Sequence, residues 1–319
     1  LNTIERERER EIVARRYGLY DRKETLEQIG ELLNITRERV RQLEKAVIAR
    51  LKTVASKELP MVKQFEEAAI VHISSVGHVT RVSDLSAKLT KDNSKIDQSR
   101  ISFLAQLSPK LSVIDDNDHF FHAIGVRAEH DEKKIRESVG EIVTAIKQLG
   151  KPVNAKTIQE AVGYADHVRV SALASISKQL ATLGDQWGLI KWPLVNPKNI
   201  RDKIYVILRD NGKPMHFSDI AGSIRGSAFK RKDVTTQAIH NELIKDKRFV
   251  LIGRGIYALN EWGYSKGTVA DIISEVLKEA KEPLHRDEIV KRVLKHRQVK
   301  ETTILLNLQG KKEFKRVAK

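Results

Sequence analysis

Apolar and polar positions follow a helical period along most of the chain. In Ile200–Leu208, the residues Ile200, Ile204, Ile207 and Leu208 share one face, the spacing of an amphipathic helix. In Arg37–Lys52 the apolar seam is Val40, Leu43, Val47 and Leu51. Short runs of another kind interrupt the helices. Phe249–Ile252 and Ile256–Leu259 are β-rich and flank Gly253-Arg254-Gly255, which predicts a hairpin.

This grammar repeats. The segments Val76–Leu85, Leu149–Ile158, Asn211–Ile220 and Ala280–Ile289 align on positions 77, 150, 212 and 281, which are 73, 62 and 69 residues apart. Such a period points to repeated small domains. Each unit opens with an amphipathic helix that a turn stops, spelled Gly-Lys-Pro at Gly150–Pro152 and Gly212–Pro214. Glycine takes the left-handed cap and proline cannot continue the helix. One apolar residue follows (Val79, Val153, Met215 or Leu284), suited to a short strand. Then comes a helix with Ser83, Asn154 or Ser218 near its N-cap, and another helix such as Thr235–Ile244. The third unit closes with the hairpin above. The first closes with Leu111–Ile114, the turn Asp115–Asp118 and His119–Ala123, and the second with Trp187–Leu194. Helix, strand, helix, helix, hairpin is the order of a winged helix-turn-helix. The fourth unit stops at Lys319, where its wing should begin, and the chain starts at Leu1 without Met. Both lead to the expectation of a fragment. Glu58-Leu59-Pro60, Gly125–Asp131, Asn196-Pro197-Lys198 and Gly263–Gly267 mark the joints. The expected fold is mainly α, a helix-turn-helix at residues 1–57 followed by winged modules at 60–125, 132–196, 199–264 and 267–319.

Residues 1–57 depart from the repeat. Arg6–Glu11 alternates in sign, as a salt-bridged surface helix does, and Gly18 predicts its stop. Thr25 with Gln28 fits a capping box. Gly30 places a small residue where two helices cross closely, and Asn34 tolerates the positive φ of a tight turn. Thr36 then caps the long helix Arg37–Lys52, whose first turns present Arg37, Glu38, Arg41, Gln42 and Lys45. In a helix-turn-helix those positions reach base edges. Arg donates twice to guanine, Glu accepts from cytosine N4 and Gln pairs with adenine. Arg39, Arg50 and Lys52 fit phosphates, which position without specifying. Thr36 and Lys45 complete the backbone candidates. The alternative is a three-helix bundle with a solvated basic face.

Composition agrees with a polyanionic partner. Among 319 residues, 58 Lys and Arg outweigh 42 Asp and Glu for a net charge of +16, and cations placed on phosphates release condensed counterions. Aromatic residues make up only 5 %, in keeping with small helical modules rather than one deep sandwich core. With no cysteine there is no disulfide, thiolate nucleophile or Cys-based metal site. No apolar window reaches the ~18 residues of a membrane span, and the first residues have no apolar signal core. The expectation is a reduced, soluble, cytoplasmic protein.

Thr25–Glu44 resembles the carboxy-terminal helix-turn-helix, region four, of primary bacterial sigma factors, and Glu7–Leu19 resembles its first half. The resemblance implies reading of the −35 promoter element in double-stranded DNA and docking on the β flap of the RNA polymerase core. It puts Arg37, Glu38 and Gln42 on bases and Arg39 and Arg41 on the backbone, in a bacterial, nucleoid-associated protein. The aromatic strand-melting region of that family has no counterpart after this module and is expected upstream of Leu1, if present. Gly212–Ile220 with Asp246–Leu259 and Trp262 resembles the HARE-type helix-turn-helix, a family that includes the folded domain of the polymerase δ subunit.

Other candidates are weaker. His216 and His285 occupy equivalent repeat positions and read as a shared turn or packing role rather than metal ligands. Gly253-Arg254-Gly255 is either a wing that carries Arg254 into a minor groove or only a tight turn. Phe229–Lys232 and Lys291–Arg297 are phosphate candidates or solvated helix faces. No Gly-rich phosphate loop, triad or carboxylate pair appears, so no enzyme, cofactor, metal or small-molecule substrate is expected. The leading expectation is a sigma-type transcription factor. The alternatives are an interaction scaffold or δ-like polymerase accessory, and the targeting part of a larger nuclease.

Overall fold

The computed structural model describes residues 3–229, 233–264, 267–297 and 299–317, without the side chains of residues 56–58. Leu1, Lys230, Arg231, Lys232, Ser265, Lys266 and Lys319, all named above, lie outside the described residues. The chain divides into two compact units, Leu1–Ile190 and Lys191–Lys319.

The first unit begins with three helices, α1 (Glu7–Tyr17), α2 (Leu26–Leu33) and α3 (Arg37–Glu58). Gly18 ends α1 in the left-handed conformation, φ 63°. Thr25 and Gln28 close the reciprocal capping box on α2, and Asn34 ends α2 at φ 52°. Thr36 accepts the Arg39 amide at the start of α3. Two apolar clusters hold the three helices. Ile12, Ile29 and Val40 are fully buried at the α2–α3 crossing, with Leu26, Leu33, Ile35 and Leu43 around them.

Only Leu59 separates α3 from α4 (Pro60–Ser75), and proline at the first helical position suits this restart. Then follow β1 (Val79–Arg81), α5 (Val82–Leu89), α6 (Lys95–Leu107), β2 (Leu111–Ile114) and β3 (Ala123–Val126). The next set is α7 (Glu132–Leu149), β4 (Val153–Asn154), α8 (Ala155–Val162), α9 (His167–Ser175), β5 (Leu180–Leu183) and β6 (Gln186–Leu189). The second unit holds α10 (Ile200–Asn211), β7 (Met215–His216), α11 (Phe217–Gly226), α12 (Thr236–Lys245), β8 (Phe249–Gly253) and β9 (Ile256–Leu259). A 3-10 turn at Asn260–Trp262 and α13 (Val269–Ala280), α14 (Arg286–His296) and α15 (Glu301–Gly310) complete it.

The strands form three small antiparallel sheets with one topology, β1-β3-β2, β4-β6-β5 and β7-β9-β8. In each, the short strand after the first helix pairs with the second strand of the hairpin. This is the winged helix-turn-helix, three times over, and the hairpins are its wings.

Several boundaries differ from the sequence expectation. The wing of the second set is not Trp187–Leu194. Leu180–Leu183 pairs with Gln186–Leu189 across Gly184-Asp185, where Gly184 has φ 62°. Only a glycine-tolerant turn brings the strands into register, and the Lys191-Trp192-Pro193 stretch lacks one. In the first set, the strand expected at His119–Ala123 starts at Ala123 and runs to Val126. Residues 115–122 leave the ladder because they bond elsewhere, as described below. Gly125 and Val126 therefore belong to a strand rather than a linker.

Two caps differ as well. The α5 N-cap is Arg81, whose side chain makes no capping bond, and Ser83 lies inside the helix. The α11 cap is His216, whose Nδ1 accepts the Ser218 amide at 3.3 Å, rather than Ser218. His285 caps α14 the same way, from the Asp287 amide. The two equivalent histidines thus share a turn role, since a neutral imidazole nitrogen can accept like a carboxylate or hydroxyl. Leu284 forms no strand. The short strand of the other sets pairs with a wing, and among the described residues Leu284 has no such partner to reward extension.

Packing within the first unit joins the sets. Phe103 and Leu107 of α6 enter one core with Ile4, Val13, Leu19, Val47, Ile48 and Leu51. The Tyr17 and Phe103 rings lie 4.9 Å apart, and Arg100 Nε donates to the Leu19 carbonyl at 2.9 Å. Burying one such phenyl ring contributes about 1.5–3 kcal/mol. Burial, reinforced by Glu44, pushes the Tyr17 hydroxyl well above the usual range.

The first and second sets interlock differently. A Cβ on Gly77 (φ 107°) would meet Ala172 Cβ and the Val168 carbonyl of α9, each at 2.8 Å. Arg81 Nε donates to the Ser175 carbonyl at 2.6 Å, and its guanidinium lies 4.0 Å from the Phe121 ring centre. The loop 115–122 adds backbone bonds from Phe121 N to Ile176 O and from Lys178 N to His119 O. These contacts take the loop out of its own hairpin.

Candidate nucleic-acid interface

The candidate reading face is the start of α3. Its geometry follows from three local devices: the Asn34 turn, the Thr36 cap and the close approach at Gly30. A Cβ on Gly30 would lie 2.7 Å from the Ile35 carbonyl oxygen, so the absent side chain lets α2 pass tightly over the turn. The helix axis is thereby aimed, and Arg37, Glu38, Arg39, Arg41, Gln42 and Lys45 are all exposed on it.

Four of these side chains form a chain of contacts. Arg41 grips Glu38 with two bonds, Nε to Oε2 at 2.9 Å and a terminal nitrogen to Oε1 at 2.6 Å. Gln42 Nε2 donates to Glu38 Oε1 at 3.4 Å, and Arg39 donates to Gln42 Oε1 at 3.4 Å. Arg41 holds the Glu38 carboxyl below its usual range, and Glu38 in turn raises Arg41. Both side chains are more than half exposed, 57 % and 54 %, so the pair is screened and easily exchanged for another partner. Arg37 and Lys45 have no hydrogen bond or ion pair among the described residues.

Arg50 stands elsewhere. It pairs with Glu9 of α1, whose carboxylate is almost buried, about three and a half turns beyond Arg37. This pair ties α1 to α3. Arg8 likewise donates to the Leu33 carbonyl and satisfies the C-terminal end of α2. Neither role shows in the sequence, because charge alternation in Arg6–Glu11 says nothing of which face meets α3.

A shallow concavity of about 490 Å³ lies beside the turn, lined by Glu27, Gly30, Glu31, Asn34, Ile35, Thr36 and Arg37. Its carboxylates make it unsuited to a phosphate. Among the described residues no group of three His, Asp or Glu is placed to hold a metal ion, and no helix is long and apolar enough to cross a membrane.

In the second unit, Arg254 sits exposed in the two-residue turn between β8 and β9. The sequence reading expected the helix beside it but did not single out its outer face. Only Ile239 and Leu243 of α12 are buried, and Gln237, Asn241, Ile244 and Lys245 face outward. The signal available was the amide pair at i, i+4, opposite the apolar pair.

Residues 6–53 match the family described as sigma-70, region 4. The RNA polymerase sigma factor SigA1 of Synechococcus elongatus is 52 % identical over 46 residues, 14 % of this chain and 12 % of that protein. The RNA polymerase sigma factor SigA of Nostoc sp. is 50 % identical over 46 residues, 14 % of this chain and 12 % of its own length. SigA of Microcystis aeruginosa is 50 % identical over 46 residues, 14 % of this chain and 11 % of its own. The chain thus spans about an eighth of the length of the curated relatives it matches. The matched stretch ends within α3 and contains the whole exposed face described above.

Proposed function

Taking residues 6–53 as a sigma-70 region 4 domain, we propose that the chain is a sequence-specific, DNA-binding transcription factor of the sigma type. It reads a promoter element in the major groove and holds RNA polymerase through the β flap. The observation that carries this reading is the exposure of Arg37, Glu38 and Gln42 on the first turns of a capped helix. Arg37, with no hydrogen bond or ion pair among the described residues, donates to guanine. Glu38 accepts from a cytosine amino group, and Gln42 pairs with adenine. Thr36, Arg39, Arg41 and Lys45 hold phosphates. Arg50 adds a phosphate contact only as far as its pair with Glu9 allows.

The Glu38–Arg41 pair gives this reading a mechanism. A carboxylate near the DNA backbone is repelled unless it finds a donor in the groove. Arg41 neutralises it in the free protein. On binding, Arg41 swings one donor set to a phosphate while Glu38 turns to the base. The cost of an unpaired carboxylate falls on every base that offers no amino donor in the major groove, which is where discrimination arises. Fluorescence anisotropy on duplexes changed one base pair at a time tests this. Glu38→Ala should erase the preference at one position, and Arg41→Ala should weaken all duplexes alike and lower the salt slope by about one. Equal losses on every duplex for Glu38→Ala would contradict the assignment.

A second reading concerns the winged modules, divided as 60–125, 132–196, 199–264 and 267–319. In the first unit their third helices are used in packing, α6 against α1 and α3 and α9 against β1. This favours a scaffold role for those two modules, as in a δ-like polymerase accessory, in a cytoplasmic protein. Polymerase capture that survives Arg37→Ala and high salt would support it.

A further inference from the structure

The third helix of a winged module is the element that meets DNA, and three such helices differ in what covers them. On α6, Phe103 and Leu107 are sealed into the core shared with α1 and α3. On α9, Ala172 and Val168 lie against Gly77, and the Ser175 carbonyl takes Arg81. On α12 the partners are α10, α11 and β8 of its own module, and its outer face is open, with Ile244 64 % exposed.

That face has the chemistry of a base reader. Gln237, Asn241 and Lys245 form one row at i, i+4 and i+8, with Ile244 beside it and no acid in the row. Gln237 Nε2 donates to Asn241 Oδ1 at 3.1 Å, which presets the amides and leaves the Asn241 amino group and the Gln237 carbonyl outward. Lys245, Lys247 and Arg254 have no ion pair among the described residues, and they lie on α12, in the turn after it and in the wing. His240 packs between Phe217, 4.9 Å away, and Tyr257 of β9, 6.1 Å away. This row fixes α12 against the base of the hairpin that carries Arg254. The last helix, α15, has an open face too, but it carries no cation.

We propose that α12 and the β8–β9 wing form a second DNA-binding surface, selective for A·T-rich duplex. Asn and Gln pair with adenine at its N6 and N7 edge, and an apolar side chain contacts the thymine methyl. Arg254, on its glycine-flanked turn, enters a minor groove, and the narrow groove of A-tracts attracts Arg through its enhanced negative potential. The surface does not rest on the reading of α3.

The test uses the full chain carrying Arg37→Ala, Arg39→Ala, Arg41→Ala, Gln42→Ala and Lys45→Ala, which removes the exposed base and phosphate donors assigned to the first site. Anisotropy is measured on an A·T-rich duplex, a G·C-rich duplex and an RNA duplex of equal length. The silenced chain should bind the A·T-rich DNA roughly tenfold tighter than the G·C-rich DNA. Asn241→Ala should remove that preference. Lys245→Ala and Arg254→Ala should each lower the salt slope by about one. These side chains are exposed, and thermal melting checks that each variant keeps its fold. The proposal is overturned if the silenced chain binds no duplex, or if adding Lys245→Ala and Arg254→Ala changes nothing. Tighter binding to RNA than to either DNA overturns it as well. Unchanged binding on silencing alone counts against the α3 reading and leaves this one standing.

Discussion

Gly30→Val should open the helix-turn-helix. At Gly30 a Cβ would lie 2.7 Å from the Ile35 carbonyl oxygen and 3.5 Å from the Arg37 amide nitrogen. Carbon and oxygen in contact normally sit roughly 3.3–3.6 Å apart, so even Ala needs the backbone of the turn to move by about 0.6 Å. For Gly30→Ala the helix-propensity gain of about 1 kcal/mol opposes an overpacking cost of about 1–3 kcal/mol. The net loss is therefore small, about 0–2 kcal/mol. Val gains less propensity and adds two methyl groups to the same gap, so it should lose about 2–4 kcal/mol. The loss falls on the α2–α3 crossing. A whole-chain melt of so many modules is not one transition, so the assay is hydrogen exchange resolved by segment. The amides of α2 and the first turns of α3 should exchange about 30-fold faster or more in Gly30→Val, with α7 and α10 unchanged. If α2 exchanges at the same rate in both proteins, the crossing is not as tight as argued. The aiming of Arg37, Glu38 and Gln42 would then need another cause.

Other outcomes follow from single contacts. Thr36→Ala removes the side-chain acceptor of the Arg39 amide and should cost about 1 kcal/mol, seen as faster exchange in the first turn of α3. Arg81→Ala leaves the Ser175 carbonyl without its donor and the Phe121 ring without its cation. It should destabilise the joint between the first and second sets by about 1–3 kcal/mol and expose residues 115–122 to limited proteolysis. Unchanged cleavage there would count against the docked loop. His130 is fully buried, and burial, then Arg169 and His78, lower it from 6.5 to about 4, against the opposing Glu129. The unfolded chain therefore binds the extra proton between those values. Stability is complete above pH 6.5 and falls as pH drops toward 4. Urea melts across that range should show the decline, and His130→Leu should flatten it.

The helix-turn-helix of residues 6–53 was legible because its instructions are local. Thr25 and Gln28, Gly30, Asn34 and Thr36 each act on a neighbour within a few residues, and the structure places each where the pattern says. The exposed row Arg37, Glu38, Gln42 follows from helical period alone. The repeat of helix, strand, helix, helix and hairpin was legible for the same reason, although two wing strands were misplaced. Their register depends on where a turn admits positive φ and on what the loop 115–122 bonds instead. Those bonds run to residues 176–178, about sixty positions away, and no local pattern encodes them. The sequence alone determined which helices form, how those of the helix-turn-helix are capped and which face of α3 carries Arg37, Glu38 and Gln42. Only the tertiary structure decided that α6 and α9 spend their outer faces on other modules while α12 keeps its own open. An amphipathic helix shows that it has a second face, but what covers that face depends on distant side chains brought together by packing.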